Sequence, residues 1–430
     1  MTTRTGAAVR QRIGYLGAAG LAVALAVPVR AGEFNPLGDG SGASNFDLLR
    51  DATTGCENCV PRPPTEWGVS PFVLDWSLAL RGAVIESGSG TRYEAIALPS
   101  VSLVHRHLRG GYSVGADAEL AYRVDGDVRI SGLGLEGGAD YRIDALTVAT
   151  LKGTFGLSQD DPDGPGYAPN VKAAPLVASG TGAATLTRDF GPWLVALRGD
   201  VARTTHGDTL YDDDSTSSNS FQSLTGAGGG LRLGLRLGPV LTGFLDGEAD
   251  YELYDEVSPS LLVRLDNLTV AGRSGVTAGF GEVLELEGSL GLGYRDYADA
   301  GLTDFAAVLY DAKAVFRPDE TVALTGTFST AISTPGTTSG ASAKITYAAS
   351  GEASYQANSW LKLRGSANWS EAHFWGIAID EYKWGVGVGA DYRLGEHAEL
   401  TADYDFGRSA TTPDPFEDQH RMALGITFRR

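Results

Sequence analysis

The stretch from Tyr112 to Asp125, Tyr-Ser-Val-Gly-Ala-Asp-Ala-Glu-Leu-Ala-Tyr-Arg-Val-Asp, leaves few folds open to the chain. Tyr112, Val114, Ala116, Ala118, Leu120, Tyr122 and Val124 share one parity; Ser113, Gly115, Asp117, Glu119, Ala121, Arg123 and Asp125 share the other. Side chains alternate across a strand, so one face of this segment meets something apolar and the other something wet and charged. Soluble strands commonly run about 5–6 residues, whereas a tilted strand needs roughly 9–11 to cross a bilayer. Fourteen residues of unbroken alternation therefore predict a membrane-spanning barrel strand.

The pattern recurs from Phe72 onward. Phe72, Leu74, Trp76, Leu78 and Leu80 share a parity, as do Leu133, Leu135, Ala139, Tyr141 and Ile143, and Leu241, Leu245, Ala249, Tyr251 and Leu253. Further strands are expected near residues 97, 151, 180, 198, 230, 274, 290, 311, 328, 349, 365, 388, 403 and 424. The sum is about eighteen, within the even numbers of bacterial outer-membrane barrels. Tight connections at Leu237–Val240, Phe316–Glu320 and Leu394–His397 alternate with long polar ones at Gln159–Asn170, His206–Ser220, Ser333–Gly340 and Arg408–Asp418. Short turns on the periplasmic side and long loops outside are the arrangement of such barrels. The expected fold is thus all-β, a transmembrane antiparallel up-and-down barrel of 16–18 strands.

One hairpin repeats at roughly 40 residues, a period that makes repeat architecture a consideration. Gly138-Ala-Asp-Tyr-Arg-Ile143 returns as Gly389-Ala-Asp-Tyr-Arg-Leu394, and the same frame fits the hairpins around Arg236, Gly279, Arg317 and Gln356. The repeat places aromatics at two heights. Tyr141, Phe316, Tyr355, Tyr392 and Phe428 fall at the short-turn ends, and Phe155, Tyr251, Tyr294, Phe328, Trp369 and Tyr404 toward the long loops. Eight strand steps of about 3.3 Å, tilted by about 40°, separate the two levels by roughly 20 Å, close to the apolar band of about 25 Å expected between two aromatic girdles.

Residues 1–31 read as a secretory signal: Arg4, Arg10 and Arg12, then an apolar run from Ile13 to Val27, then Val29-Arg-Ala31 as a small-residue cleavage site. They hold four arginines and no acids, so the formal charge of −19 becomes −23 without them. An acidic chain argues against a nucleic-acid partner. No later apolar stretch is long enough for a membrane helix, so spanning would require a closed barrel. Residues 32–70, with Pro61, Pro63 and Pro64 and no periodicity, are expected to form a flexible periplasmic arm before the barrel at 71–430. In that arm, Cys56-Glu-Asn-Cys59 can be a redox motif, half a zinc site or a small local disulfide; the exported setting favours the disulfide.

Together the signal, the lead, the Gly-Ala-Asp-Tyr-Arg-Leu repeat and the final strand His420-x-Met422-x-Leu424-x-Ile426-x-Phe428 resemble the putative beta-barrel porin type 2 family of proteobacterial outer membranes. The likeness runs from about Phe72 to the C-terminus. It implies an outer-membrane barrel, with outer-membrane lipid and the barrel assembly machinery as partners. Association of some relatives with surface-polysaccharide export suggests periplasmic or export proteins as further partners.

Chemistry is expected on the inward parity. Asp246, Glu248, Asp250 and Glu252 line one strand, joined by Asp117, Glu119, Glu285, Glu287, Asp403 and Asp405. Arg123, Arg142, Arg198, Arg232, Arg236, Arg273, Arg295, Arg364 and Arg393 share that face. With a tight turn at Gly238-Pro239, Arg232 lies opposite Asp246 while Glu248 and Asp250 face Gly230 and Gly228, leaving acids locally unneutralised. Crowded acids favour cations; cross-strand ion pairing without a transport role is the competing account. The sequence has no HExxH metalloprotease motif. His105 and His107 share one face near a turn, and Asp212-Asp-Asp214 lies in a long loop; each falls short of the three or four ligands of a stable metal site. Gly132-x-Gly134-x-x-Gly137 matches a dinucleotide pattern without the helix that would bind phosphate. No cofactor is expected. The reading is a passive, acidic-lined porin-like channel for small hydrophilic solutes, with a structural or export component of a surface-polysaccharide system as the alternative and an outer-membrane hydrolase a distant third.

Overall fold

A computed structural model describes residues 72–430 except 89, 124–127, 160–161, 163–169, 334–339 and 414. The leader at 1–31, the arm at 32–70 and the Cys56–Cys59 pair lie outside the described residues. The chain opens with β1 (Phe72–Ser87), β2 (Gly90–His107), β3 (Gly110–Arg123), β4 (Val128–Arg142) and β5 (Thr147–Gln159). After β6 (Val171–Ala173) come β7 (Leu176–Asp189), β8 (Trp193–His206), β9 (Thr209–Tyr211), β10 (Thr216–Ser217) and a 3-10 turn at Ser220–Gln222. Then follow β11 (Leu224–Arg236), β12 (Leu241–Tyr254), β13 (Asn267–Phe280), β14 (Leu284–Tyr297), β15 (Phe305–Phe316) and β16 (Val322–Ser333). The chain ends with β17 (Ala343–Gln356), β18 (Leu361–Trp375), β19 (Asp380–Arg393), β20 (Ala398–Thr411) and β21 (Glu417–Arg429).

Eighteen of these strands form one antiparallel sheet in which each pairs with its sequence neighbours, and β1 pairs with both β2 and β21. The sheet is therefore a closed barrel with no free edge, the only form in which strands satisfy their backbone in lipid. No helix among the described residues is long and apolar enough to cross a membrane. The three short strands β6, β9 and β10 make a separate small sheet in the long loops.

Alternation sets the faces. Tyr112, Leu120, Leu151, Leu245, Leu290 and Leu424 are all exposed on one surface, so the apolar parity faces out and there is no common dry interior for these side chains. A one-residue slip would exchange the faces, and β4 shows how the chain avoids it. Glu119 pairs with Gly132 but Leu120 pairs with Ile130, leaving Ser131 as a bulged extra residue. The bulge resets the parity, so Ile130 and Leu135, five positions apart, are both exposed outward.

The short-side turns carry their own chemistry. Asp319 Oδ1 accepts from the amides of Thr321 (2.8 Å) and Val322 (3.1 Å), and Asn358 Oδ1 from those of Trp360 and Leu361. Asp144 accepts from the Leu146 amide and the Thr147 hydroxyl, led by the amide, and is held below the ordinary carboxylate range. The β13–β14 turn needs Gly281 at φ 64°.

The expected sorting of loops needs two corrections. On the far side, β1 to β2, β3 to β4 and β18 to β19 are joined by only 88–89, 124–127 and 376–379. The Arg408–Asp418 segment is mostly strand: β20 and β21 continue upward, and the Arg408 guanidinium grips the Asp418 carboxylate with two hydrogen bonds of 2.5 and 2.6 Å.

Candidate functional site: the inner wall of the barrel

The register places Asp117, Glu119 and Arg123 on β3, Arg142 at the lower end of β4, Arg198 on β8 and Arg232 on β11 along the face opposite the exposed apolar one. Asp246, Glu248, Asp250 and Glu252 on β12, Glu285 and Glu287 on β14, Arg364 on β18, Arg393 on β19 and Asp403 on β20 occupy the same face. Arg232 lies opposite Asp246, Glu248 opposite Gly230 and Asp250 opposite Gly228.

What the side chains do differs from a local reading of that hairpin. Arg273, on the other neighbour of β12, bonds Glu248 at 2.5 Å and Asp311 at 2.9 Å. Arg295 lies 3.7 Å from Glu252 and donates to Thr269. Glu248 is thus compensated from β13 and Glu252 from β14; of the two acids expected to stand locally unneutralised, Glu248 and Asp250, this corrects Glu248. Arg232 reaches past Asp246: its guanidinium stacks 3.6 Å over the Phe244 ring and bonds Glu287 at 3.0 Å. Phe244 lies flat because position 275 is glycine, where a Cβ would stand 2.5 Å from the ring tip. Arg232 is consequently 2% exposed although it sits on the inner face. A second network joins Arg364 to Asp391 and to Asp403 at 2.7 Å, with Arg81 3.8 Å from Asp403. Phe244, Arg81, Asp311 and Asp391 were not among the expected wall residues; their inward register was the signal available.

On β3 and β4 the acids have no such partners. Asp117, Glu119, Glu136 and Asp140 face Gly134, Gly132, Gly115 and Gly111 across the ladder. A Cβ on Gly134 would lie 2.5 Å from Asp117 Oδ1, and one on Gly115 2.8 Å from Glu136 Oε1, so these carboxylates lie down over the opposing glycines. None of the four makes an ion pair with a described residue. Lys152 faces Gly138, between Glu136 and Asp140 along β4, and pairs with neither. Asp200, which pairs with Arg198 at 3.1 Å, and Asp250 converge on Gly228 from both sides.

The girdle residues Tyr141, Phe155, Tyr251, Tyr294, Phe316, Tyr355, Trp369, Tyr392 and Phe428 are all exposed on the outer face. Tyr404 is half-buried, its hydroxyl 2.9 Å from His420 Nδ1. His105 and His107 also face outward, 6.0 Å apart, in a patch where His105 stacks on Phe72 and lies 4.9 Å from Tyr112. In the loops, Asp213 is held below the usual range by the Ser215 hydroxyl and amide, and Asp214 by Lys172, 2.7 Å away. Among the described residues no three His, Cys, Asp or Glu side chains are arranged to hold a metal. Gly132, Gly134 and Gly137 lie inside β4, not at a strand-to-helix turn.

A closed eighteen-strand barrel with an apolar outside and a charged inside is a porin architecture. A family model described as Putative beta-barrel porin 2 matches residues 102–430. The chain belongs to that family. It is a porin-like barrel of the bacterial outer membrane. Among solved structures, Pseudomonas aeruginosa OpdK with vanillate is 11% identical, with a TM-score of 0.45 over 83% of this chain and 99% of that one. OccK11 (OpdR) of the same organism is 14% identical, with a TM-score of 0.41 over 83% and 96%. The siderophore receptor PirA, also from P. aeruginosa, is 10% identical, with a TM-score of 0.43 over 85% and 81%. No curated protein matches the chain.

Proposed function

We propose that the barrel is a passive outer-membrane channel for small hydrophilic solutes that admits cations more readily than anions. The observation that carries this reading is the strip of Asp117, Glu119, Glu136 and Asp140 on β3 and β4, each opposite a glycine and none in an ion pair with a described residue. Carboxylates held against a low-dielectric wall focus a negative field, whereas the ladders at Arg273 and Arg364 cancel theirs. Barrels of 16–18 strands enclose enough room for water. The signal peptide, a barrel inserted by the assembly machinery through its last strand, and surrounding outer-membrane lipid belong to the same proposal.

Planar-bilayer recordings test it. Under a salt gradient the wild-type barrel gives stepwise currents with a zero-current potential of cation-selective sign. Replacing the four acids by Asn or Gln is expected to lower the cation-to-anion permeability ratio by roughly threefold or more while leaving the steps in place. An unchanged ratio overturns the assignment of selectivity to this strip. Silence from a correctly folded barrel overturns the channel itself and leaves a structural part in surface-polysaccharide export as the reading to pursue.

A further inference from the structure

The upper ends of β16 and β17 leave the wall. The β14–β15 ladder runs twelve positions, from Leu284 opposite Phe316 to Arg295 opposite Phe305, but β15 and β16 pair only from Ala312–Phe328 to Phe316–Leu324, five positions. Where the ladder would continue, the Thr330 hydroxyl donates to the Tyr310 carbonyl and accepts from the Tyr310 amide, both at 3.1 Å. A side chain thus occupies the place of the partner backbone.

Beyond that point the faces no longer match the wall. Ile332 has the parity of the outward-facing Leu324, yet it is 9% exposed. It packs with Ala343 and Ile345 against Ala271, Tyr297, Phe305, Ala307 and Leu309, which are inner-face residues of β13, β14 and β15. Gly293 makes the space: a Cβ there would lie 2.6 Å from Ile332 Cδ1. Trp375 at the top of β18 stacks on Phe305 with 5.4 Å between ring centroids. The wall therefore overlaps itself, with β13–β15 outside and the ends of β16 and β17 inside. Two polar ties hold the overlap: the Tyr297 hydroxyl donates to the Ser342 carbonyl, and Arg295, which also approaches Glu252, donates to the Ile332 carbonyl at 3.3 Å.

We propose that the ends of β16 and β17 form a flap seated inside the mouth of the barrel, which narrows the passage while Thr330, Tyr297 and Arg295 hold it and widens it when they let go. Toward β15 the flap has no ladder to break above Phe328, whereas on its other edge β17 stays paired with β18 up to Ala343 opposite Trp375, so the flap moves with that edge and parts from β15. The effect on passage rests on the channel reading; the seated position does not.

The test uses the full-length chain with Cys56→Ser, Cys59→Ser and Ile332→Cys, folded into phosphatidylcholine vesicles and labelled with a membrane-impermeant maleimide. Labelling is expected to be slow with the ties intact, and to rise on the order of tenfold with Tyr297→Phe, or further with Thr330→Val added, since local opening governs access. The same ties removed in the Ile332 background should enlarge the single-channel steps by about twofold. Fast labelling with the ties intact, or equal rates with and without them, overturns the flap. Faster labelling with unchanged steps in a conducting barrel overturns the narrowing. If labelling rises in a barrel that carries no current, the flap stands and the channel reading fails. Tyr297→Phe alone, which removes one hydroxyl, keeps the test available where the double variant does not fold.

Discussion

Replacing Arg232 by methionine is expected to destabilise the folded barrel by about 3–5 kcal/mol, because it leaves a buried acid without its partner. The Arg232 side chain is 1% exposed and its partner Glu287 10%. Phe244 covers Arg232 and little water reaches Glu287, so losing Arg232 takes from Glu287 its hydrogen-bonded guanidinium and leaves Lys313, opposite it on β15, as the remaining cation. Replacing the pair together, Arg232→Met with Glu287→Gln, should recover most of that loss. Equilibrium unfolding of the barrel in phospholipid vesicles measures both. A single substitution costing less than about 1 kcal/mol would mean that water reaches Arg232 after all.

The second large effect separates the two faces of one strand. Leu151, near the middle of β5, is 59% exposed on the outer surface. Arginine there is expected to cost about 2–4 kcal/mol, the range for a cation at the midplane on the lipid side. Thr150 is its inward neighbour and faces Asp140 across the ladder. Thr150→Arg should change stability by no more than about 1 kcal/mol, and can gain from the free acid. The same residue type one position apart should thus give effects that differ severalfold. Equal effects would place both side chains in one solvent.

Much of the architecture was legible because a barrel repeats one local rule. Period-two alternation located all eighteen strands, and the turn at Gly238-Pro239 fixed the β11–β12 register to the residue, with Arg232 opposite Asp246 and Asp250 opposite Gly228. The site was less legible, since a strand has two neighbours and long side chains cross them. Looking only at β11 leaves Glu248 unpaired, whereas its guanidinium comes from Arg273 on β13. Looking only one strand away misses Arg232 meeting Glu287 on β14, a reach that needs Phe244 beneath it and Gly275 beneath Phe244. Parity counted within single strands cannot register an inserted residue such as Ser131. Nor can it show that Ile332, outward by count, lies over the inner wall; Gly293, the small residue that admits it, reads in sequence only as a point of easy curvature.

The acidic strip followed a different logic. Asp117 and Glu119 stood out as wall residues, but their isolation depends on Gly134 and Gly132 lying opposite, and on Glu136 and Asp140 facing Gly115 and Gly111 in return. Acid against glycine, repeated four times across one hairpin, keeps bases out of one of the two cross-strand positions beside each acid.

Spin labels placed singly at Ala149, Thr150, Leu151, Lys152, Gly153, Thr154 and Phe155 of β5, in lipid vesicles, test the central claim most directly. Relaxation by lipid-dissolved oxygen should peak at 149, 151, 153 and 155, and relaxation by a water-soluble nickel complex at 150, 152 and 154. A profile without that two-residue period, or odd positions shielded from both reagents, would contradict a wall with lipid on one side and water on the other.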